Sequence, residues 1–329
     1  MTEPHNGFGV RAILILLLAF GSAGLASCNR SANDAGRQPG ATQAASVPVV
    51  APPAASTGGF DGARAYNHVE QLVAIGPHSA GTEGIHRAQT YIIGQLKSFG
   101  CPVEEQDFHS PTPIGDVAMK NIVVKIPSAN PSIILFSTHY DTKRLDNFVG
   151  ADDGGSSTGV ILELARILCT RKNAVTVWLA FFDGEEAFNF AWEDPDNTYG
   201  SRELAARLAL SGDLPRVKAV ILADMVGPAN PIFKRESYST MWLTDLVWST
   251  AARLGYGKVF VSDSTAVEDD HLSFLRRDVP ATDIIDFGSP VLEYWHTARD
   301  TLDKVDPRTL AMTGHVLVET LPELEKKFQ

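Results

Sequence analysis

The 329-residue chain has few cysteines and fewer basic than acidic residues. Its three cysteines, Cys28, Cys101 and Cys169, are too few for a disulfide scaffold, and no CxxC pair or Cys/His cluster suggests a structural zinc module. The 28 basic residues against 39 acidic ones give a formal net charge of −11. Because neutralising phosphates requires a basic surface, this charge argues against nucleic-acid binding, and we expect no nucleic-acid partner.

The N-terminal apolar run, residues 12–20, is too short to cross a bilayer as a mature helix. Small residues follow it and end in Leu-Ala-Ser-Cys28, which is the pattern of an export signal. This box resembles the lipobox of bacterial lipoproteins, whose cysteine carries a diacylglycerol after cleavage. We therefore expect residues 1–27 to be a signal peptide and Cys28 to be lipidated. The protein is then an exported lipoprotein anchored to a membrane of the cell envelope. The alternative is an ordinary signal peptide with a coincidental cysteine.

Residues 28–59 are rich in alanine, proline, serine and glycine and predict a flexible tether. The whole chain is 44% hydrophobic and 20% charged, which is typical of a chain that buries a core, and we assign residues 60–329 to one catalytic domain. Cys101 and Cys169 each follow a predicted helix. We expect two unpaired, buried thiols, with a disulfide between them as the alternative.

The predicted domain alternates helices with strands. Predicted helices cover residues 61–75, 85–99, 157–168, 202–210, 238–254 and 307–327. Predicted strands cover residues 103–108, 117–126, 132–137, 174–182, 217–223 and 282–285. Several strands are nearly continuous apolar runs, as expected for buried strands. The pattern predicts a single α/β domain with a mostly parallel, mixed central sheet and helices on both faces.

Acidic and histidine residues follow three of the predicted strands directly. They are His139 and Asp141, the run 183–186, and Asp224. In open α/β sheets, ligands bind beyond the carboxyl ends of the strands. The sequence therefore predicts a site built from these residues.

Two adjacent carboxylates, Glu185 and Glu186, stand in the segment Phe-Phe-Asp-Gly-Glu-Glu. Neighbouring side chains point in different directions, so one can bind a cation while the other remains free to carry a proton. The alternative is a solvated acidic turn at the start of a helix. The two phenylalanines before the turn favour the buried site.

Two further segments supply ligands of the same kind. Asp153 lies in a glycine-rich turn before a helix, and His296 follows Trp295 in a loop. Zinc sites with an open position use about three nitrogen and oxygen ligands, which Asp153, Glu186 and His296 would supply. Calcium would be expected to take more oxygen ligands and no imidazole. The alternatives are a helix N-cap for the aspartate and a surface histidine.

A competing motif, Gly-Ser-Ser-Thr-Gly at residues 155–159, matches the G-x-S-x-G nucleophile elbow. That elbow requires a strand leading into the serine. Residues 150–154 form a glycine-acidic loop instead, which argues against a serine hydrolase.

Several motifs in order resemble those of animal-type glutaminyl cyclases, which share the fold group of zinc-dependent aminopeptidases. They are His-Tyr-Asp-Thr-Lys (139–143), Val-Gly-Ala-Asp-Asp (149–153), Phe-Phe-Asp-Gly-Glu-Glu-Ala-Phe (181–188), Tyr-Gly-Ser-Arg (199–202), Gly-Pro-Ala-Asn-Pro-Ile-Phe (227–233), Glu-Asp-Asp-His (268–271) with Phe-Leu-Arg-Arg (274–277), and Trp-His-Thr (295–297). The likeness extends from about residue 61 to the C-terminus.

We expect the protein to be a monomer. The resemblance implies one zinc ion per chain and an enzyme that cyclises the N-terminal glutamine of peptides or proteins to pyroglutamate and releases ammonia. The residues that the likeness implies are the zinc ligands Asp153, Glu186 and His296, the proton-transfer residue Glu185 with its supporting acids Asp224 and Asp269, and the substrate-binding residues Trp192, Trp295 and Glu268. In this reaction the α-amine attacks its own side-chain amide.

The chain also departs from the family pattern. Thr138 and Thr158 occupy the positions of a disulfide beside the zinc site. Gly154 replaces a small serine, and Asp283 aligns with a histidine of the acid-rich hydrogen-bond network. No implied zinc ligand is lost.

The leading alternative is an aminopeptidase with two zinc ions. Its five ligand positions would be His139, Asp153, Glu186, Asp224 and His296, and all are filled. The segment at residues 268–271, Trp295 and Lys143 favour the cyclase. A lipid-anchored binding protein without catalysis would be favoured only if Glu185 or a ligand were missing.

Overall fold

A six-stranded sheet forms the centre of the protein in a computed structural model, which describes residues 50–329. The strands in chain order are β1 (Val103–Thr112), β2 (Gly115–Ile126), β3 (Ile133–His139), β4 (Thr176–Phe182), β5 (Val217–Asp224), β6 (Phe233–Glu236), β7 (Phe260–Thr265) and β8 (Ala281–Ile285). The central sheet has the order β1-β2-β4-β3-β5-β8. Strands β4, β3, β5 and β8 are parallel, and β1 and β2 join the sheet antiparallel.

Helices cover both faces of this sheet. They are α1 (Gly62–Ile75), α2 (Glu83–Ser98), α3 (Gly155–Leu168), α4 (Tyr199–Ser211), α5 (Met241–Arg253), α6 (Leu272–Leu275) and α7 (Pro307–Phe328). Side chains alternate between faces along a strand, and in β3 Ile134 and Phe136 pack with α1, α2, α3, α5 and α7. Ile133 and Leu135 pack on the other face with α4 and α6. Because both faces are covered, every residue of β3, β4 and β8 is buried, which explains the apolar runs in β3 and β4.

The predicted fold is confirmed: it is an α/β domain with a mostly parallel, mixed sheet and helices on both faces. The sequence analysis missed a second, two-stranded parallel sheet formed by β6 and β7, and the short helix α6. Three consecutive residues of β7, Ser262, Asp263 and Ser264, are exposed and polar, so the strand has no apolar periodicity to reveal it.

The prediction of two unpaired thiols is wrong. Cys101 and Cys169 form a disulfide, with their Cα atoms 5.3 Å apart. Cys101 lies just beyond α2 and Cys169 caps the C-terminus of α3. The two helix ends lie side by side, a proximity that the sequence of either helix does not show.

The N-terminal part of the described chain begins before the predicted domain boundary at residue 60. Residues Ala54–Ser56 form a short 3-10 helix, and the buried Thr57 hydroxyl donates a hydrogen bond to the Phe60 carbonyl at 2.6 Å. The last residues of the predicted tether therefore belong to the folded part. The predicted signal peptide, Cys28 and the earlier part of the tether lie outside the described residues. None of the described helices is long and apolar enough to cross a membrane.

Candidate metal centre and active site

The carboxyl ends of three adjacent parallel strands bring the predicted site residues together. His139 ends β3, Asp224 ends β5, and Glu185 and Glu186 follow β4 by three and four residues. These strands are neighbours in the order β4-β3-β5. The remaining ligands come from the loop before α3 and the loop after β8. The site thus lies beyond the carboxyl ends of the parallel strands, which is where ligands bind in open α/β sheets.

Asp141 fixes the turn that carries the two glutamates. Its carboxylate accepts hydrogen bonds from the backbone N–H groups of Glu185 at 3.0 Å and of Glu186 at 3.3 Å. Gly184 precedes them with a φ of 69°. This left-handed conformation favours glycine, and a Cβ at that position would also lie 2.7 Å from the Met119 sulfur.

Asp153, Glu186 and His296 form a candidate metal site. Each offers a ligand atom, and these atoms all lie within 4.8 Å of one another. His296 Nε2 lies 3.0 Å from Glu186 Oε1 and 3.3 Å from Asp153 Oδ2. Asp153 Oδ2 and Glu186 Oε2 are buried without a hydrogen-bond partner, as expected of atoms that would bind a cation. Two carboxylates and one imidazole fit zinc.

The loop around His296 is held in a strained conformation. His296 has a φ of 51°, which is uncommon for a residue other than glycine. Its ring stacks on that of Trp295 with centroids 3.9 Å apart, and Phe148 meets it edge-on at 5.9 Å. These contacts orient the imidazole toward the two carboxylates.

A second group of possible ligands shares Asp153. His139, Asp153 and Asp224 also bring one ligand atom each within 4.8 Å of the others. In this group His139 Nε2 lies 3.1 Å from Asp224 Oδ1, within hydrogen-bond distance, and 3.3 Å from Asp153 Oδ1. All five ligand positions of the two-zinc alternative are therefore brought together.

The charges of the site shift several pKa values. Burial lowers the pKa of His296, but the charge of Glu186, the close Asp153 carboxylate and the hydrogen bond to Glu186 raise it to about 10. Burial acts to raise the pKa of Asp153, but the close imidazoles of His139 and His296 outweigh it and hold that pKa well below its usual range. The imidazoles thus favour the ionised form of the carboxylate that both groups share.

Glu185 lies beside the candidate metal site without belonging to either ligand group. Its Oε2 atom is 3.7 Å from His139 Nδ1, and the side chain is buried. Burial raises the pKa of Glu185, the charge of His139 opposes that rise, and the charges of Glu186 and Asp269 add to it. A buried carboxyl group that is free of the metal is suited to proton transfer.

A cavity of about 310 Å³ opens over these residues. Its lining includes all nine residues predicted for catalysis, metal binding and substrate binding, namely Asp153, Glu185, Glu186, Trp192, Asp224, Glu268, Asp269, Trp295 and His296. Trp192 and Trp295 are half-buried, whereas Glu268 is exposed at the rim. Asp269 is buried, and burial together with the charges of Asp224 and Asp270 raises its pKa.

The four positions that depart from the family pattern are all buried near the site. The Thr158 hydroxyl donates to the His139 carbonyl at 2.9 Å, and the Thr138 hydroxyl lies 2.7 Å from that of Ser157. Gly154 has a φ of 77°, and a Cβ there would lie 2.8 Å from the His139 ring. Asp283 is buried, and neither of its carboxylate oxygens has a hydrogen-bond partner.

The serine of the G-x-S-x-G motif has no catalytic geometry. Ser157 lies in the first turn of α3, and its hydroxyl donates to the Gly154 carbonyl at 3.3 Å. No strand leads into it, so the structure agrees with setting this motif aside.

Sequence reasoning missed Asp300. Its carboxylate accepts hydrogen bonds from the backbone N–H groups of Asp152 at 2.8 Å and of Asp153 at 3.0 Å. The side chain is fully buried and thereby fixes the loop that carries a candidate ligand. Asp300 follows no strand and belongs to none of the motifs, so only its position four residues after His296 could have suggested a role.

Comparison with known proteins gives consistent matches. The sequence profile of Peptidase family M28 matches residues 121–321. The Glutaminyl-peptide cyclotransferase of Drosophila melanogaster is 30% identical over 262 residues, which cover 71% of this chain and 73% of the relative. The crystal structure of an Acidobacteriales bacterium glutaminyl cyclase is 36% identical, with a TM-score of 0.77 over 82% of this chain and 96% of that one. A Zn-dependent exopeptidase from Parabacteroides distasonis is 28% identical, with a TM-score of 0.73 over 80% of this chain and 98% of that one.

Proposed function

Because the chain belongs to peptidase family M28 and, within it, to the glutaminyl-peptide cyclotransferases, we propose that the cavity at the strand ends converts N-terminal glutamine to pyroglutamate. The substrates are peptides or proteins that begin with glutamine, and the second product is ammonia. The observation that supports this assignment best is the pair Glu185 and Glu186. One belongs to a three-residue ligand group, while its neighbour faces the same cavity outside that group.

Asp153, Glu186 and His296 would hold one zinc ion. When bound there, zinc supplies Lewis-acid activation of the side-chain amide oxygen. The two unpartnered oxygens, Asp153 Oδ2 and Glu186 Oε2, support this group as the metal site. Each of the two groups contains a histidine nitrogen within hydrogen-bond distance of a carboxylate oxygen, so the support for one ion per chain is the likeness to glutaminyl cyclases.

Glu185 would move the proton. Its carboxylate accepts a proton from the attacking α-amine and then delivers it to the departing amide nitrogen, so one group acts as base and as acid. Asp141 holds the Glu185 backbone, which fixes where the carboxylate can reach. Asp224 and Asp269 line the same cavity and would support the charge changes at Glu185.

The aromatic walls would fold the substrate onto itself. The reaction closes a ring within one residue, so holding the side-chain amide against its own amine removes much of the entropic cost. Trp192 and Trp295 line the cavity beside the reacting groups. Their apolar surfaces would also limit the access of water, which would otherwise hydrolyse the amide.

The product of one incubation tests this function. A peptide that begins with glutamine is incubated with zinc-loaded protein and analysed by mass spectrometry. Cyclisation yields an intact peptide lighter by one ammonia, and a peptide that begins with leucine stays unchanged. Release of free glutamine or leucine without loss of ammonia would instead establish an aminopeptidase, the alternative whose five ligand positions the structure brings together.

We also propose that the protein is an exported lipoprotein attached to a membrane of the cell envelope through Cys28. The support is the Leu-Ala-Ser-Cys box after a short apolar run. Cys28→Ser should move the protein from the membrane fraction to the soluble fraction. Soluble wild-type protein in the native host would contradict this proposal.

A further inference from the structure

One large apolar side chain at the cavity is exposed. Phe190 lies in the segment between β4 and α4 and is 92% exposed, the highest value among the exposed large hydrophobic residues of the described chain. Its neighbours Asn189 and Ala191 are exposed as well, so no described residue covers the ring. Removing an exposed aromatic ring from water is favourable in free energy, so the ring is suited to contact with a ligand.

The segment that carries Phe190 is anchored on the side of β4. The buried Lys143 Nζ donates to the Ala187 carbonyl at 2.7 Å. The Asp196 carboxylate accepts the backbone N–H groups of Phe188 at 3.0 Å and of Asn189 at 2.8 Å. The Phe188 ring packs edge-on against Tyr199.

The other end of the segment is anchored too. The Arg202 guanidinium donates to the carbonyls of Pro195 and Asn197, both at 2.7 Å. The same guanidinium lies over the Tyr199 ring at 4.8 Å. The segment is thus held before and after Phe190, and the ring projects from a fixed support.

Phe190 lines the same cavity as Glu185 and Trp192. In the cyclisation both reacting groups, the α-amine and the side-chain amide, belong to the first residue and must lie near the buried Glu185. The rest of the peptide must leave through the cavity mouth, where Phe190 and Glu268 are both exposed. The first side chain that the ring can meet is therefore that of the second residue.

We propose that Phe190 is a specificity-determining residue that binds the side chain of the second substrate residue and favours an aromatic or large aliphatic one. This inference rests on the proposed function. Contact with an apolar side chain would cover the exposed ring, and a glycine in the second position would leave it in water. The preference should act on binding more than on the chemical step, because both reacting groups belong to the first residue and the proposed contact is with the second.

The test compares peptides that differ only in the second residue, Gln-Phe and Gln-Gly, with wild type, Phe190→Ala and Phe190→Leu. We expect wild type to prefer the Gln-Phe peptide in kcat/KM. Phe190→Ala should reduce that preference about tenfold, mainly through KM, which corresponds to about 1.4 kcal/mol. Phe190→Leu should keep most of the preference. Leu210→Ala is the matched control, since Leu210 is 88% exposed near the end of α4 and does not line the cavity.

Two results would overturn the inference. One is a wild-type enzyme that cyclises both peptides with equal kcat/KM. The other is a Phe190→Ala variant that slows both peptides by the same factor, because the ring would then shape the cavity for the first residue. Failure of the proposed function looks different, since neither peptide would lose ammonia.

Discussion

The disulfide between Cys101 and Cys169 should contribute a large part of the protein's stability. It joins residues 68 apart in sequence and ties the end of α2 to the end of α3. Closing a loop of that length restricts the unfolded chain, and the loop-entropy relation gives about 4 kcal/mol at 25 °C. Replacing both cysteines by serine should lower the free energy of unfolding by about that amount.

The effect on the melting temperature follows from the size of the described domain. An unfolding entropy of about 2.1 cal/mol/K per residue over about 280 residues gives about 0.6 kcal/mol/K. The double serine variant should therefore melt about 7 °C below the reference. Cys28→Ser is the matched background for both proteins, because it removes the third cysteine, which lies outside this loop.

Two assays check this prediction. Calorimetry or urea unfolding compares the double serine variant with the Cys28→Ser reference. Labelling of denatured Cys28→Ser protein with a maleimide should find no free thiol before reduction and two afterwards. Two free thiols without reductant, or equal melting temperatures for both proteins, would refute the reasoning.

The remaining predictions concern the ligand loop and a buried histidine. Asp300→Ala should weaken zinc binding at least tenfold, because the backbone N–H groups of Asp152 and Asp153 lose their hydrogen-bond acceptor. Competition with a chelator measures the zinc affinity. Asp303 is an exposed acid nearby, and the control variant Asp303→Ala should bind zinc normally. Burial, aided by the charge of Arg64, lowers the pKa of His68 to about 4. The stability that depends on neutral His68 is therefore complete above about pH 6.5 and is lost as the pH falls toward 4. Between about pH 7 and pH 4, wild type should lose up to about 3 kcal/mol more unfolding free energy than His68→Gln, and parallel losses would contradict the assignment.

The sequence predicted the central elements because their apolar residues recur with a clear period. The fully buried strands β3 and β4 and the helix α3 are nearly continuous apolar runs or carry apolar residues at helical spacing. The rule that sites lie beyond parallel strand ends then located His139 and Asp224 at the same edge. The strands that the sequence analysis missed, β6 and β7, are short, and β7 is largely exposed.

Features that depend on contacts between distant segments could not be read from the sequence. Asp300 accepts hydrogen bonds from residues about 150 positions earlier, and nothing in its own segment indicates that contact. The Cys101–Cys169 pairing likewise depends on how α2 and α3 lie beside each other. The exposure of Phe190 follows from the path of an irregular segment that has no periodic pattern.

In the function that we propose, Glu186 holds the metal while the adjacent Glu185 carries the proton. The most direct measurement is the zinc content and cyclisation rate of Glu185→Gln and Glu186→Gln, two identical changes one residue apart. Glu185→Gln should keep wild-type zinc and lose most turnover, because an amide cannot accept and return the proton. Glu186→Gln should lose zinc and activity together. A Glu185→Gln protein that lacks zinc, or that cyclises glutamine at nearly the wild-type rate, would contradict the account.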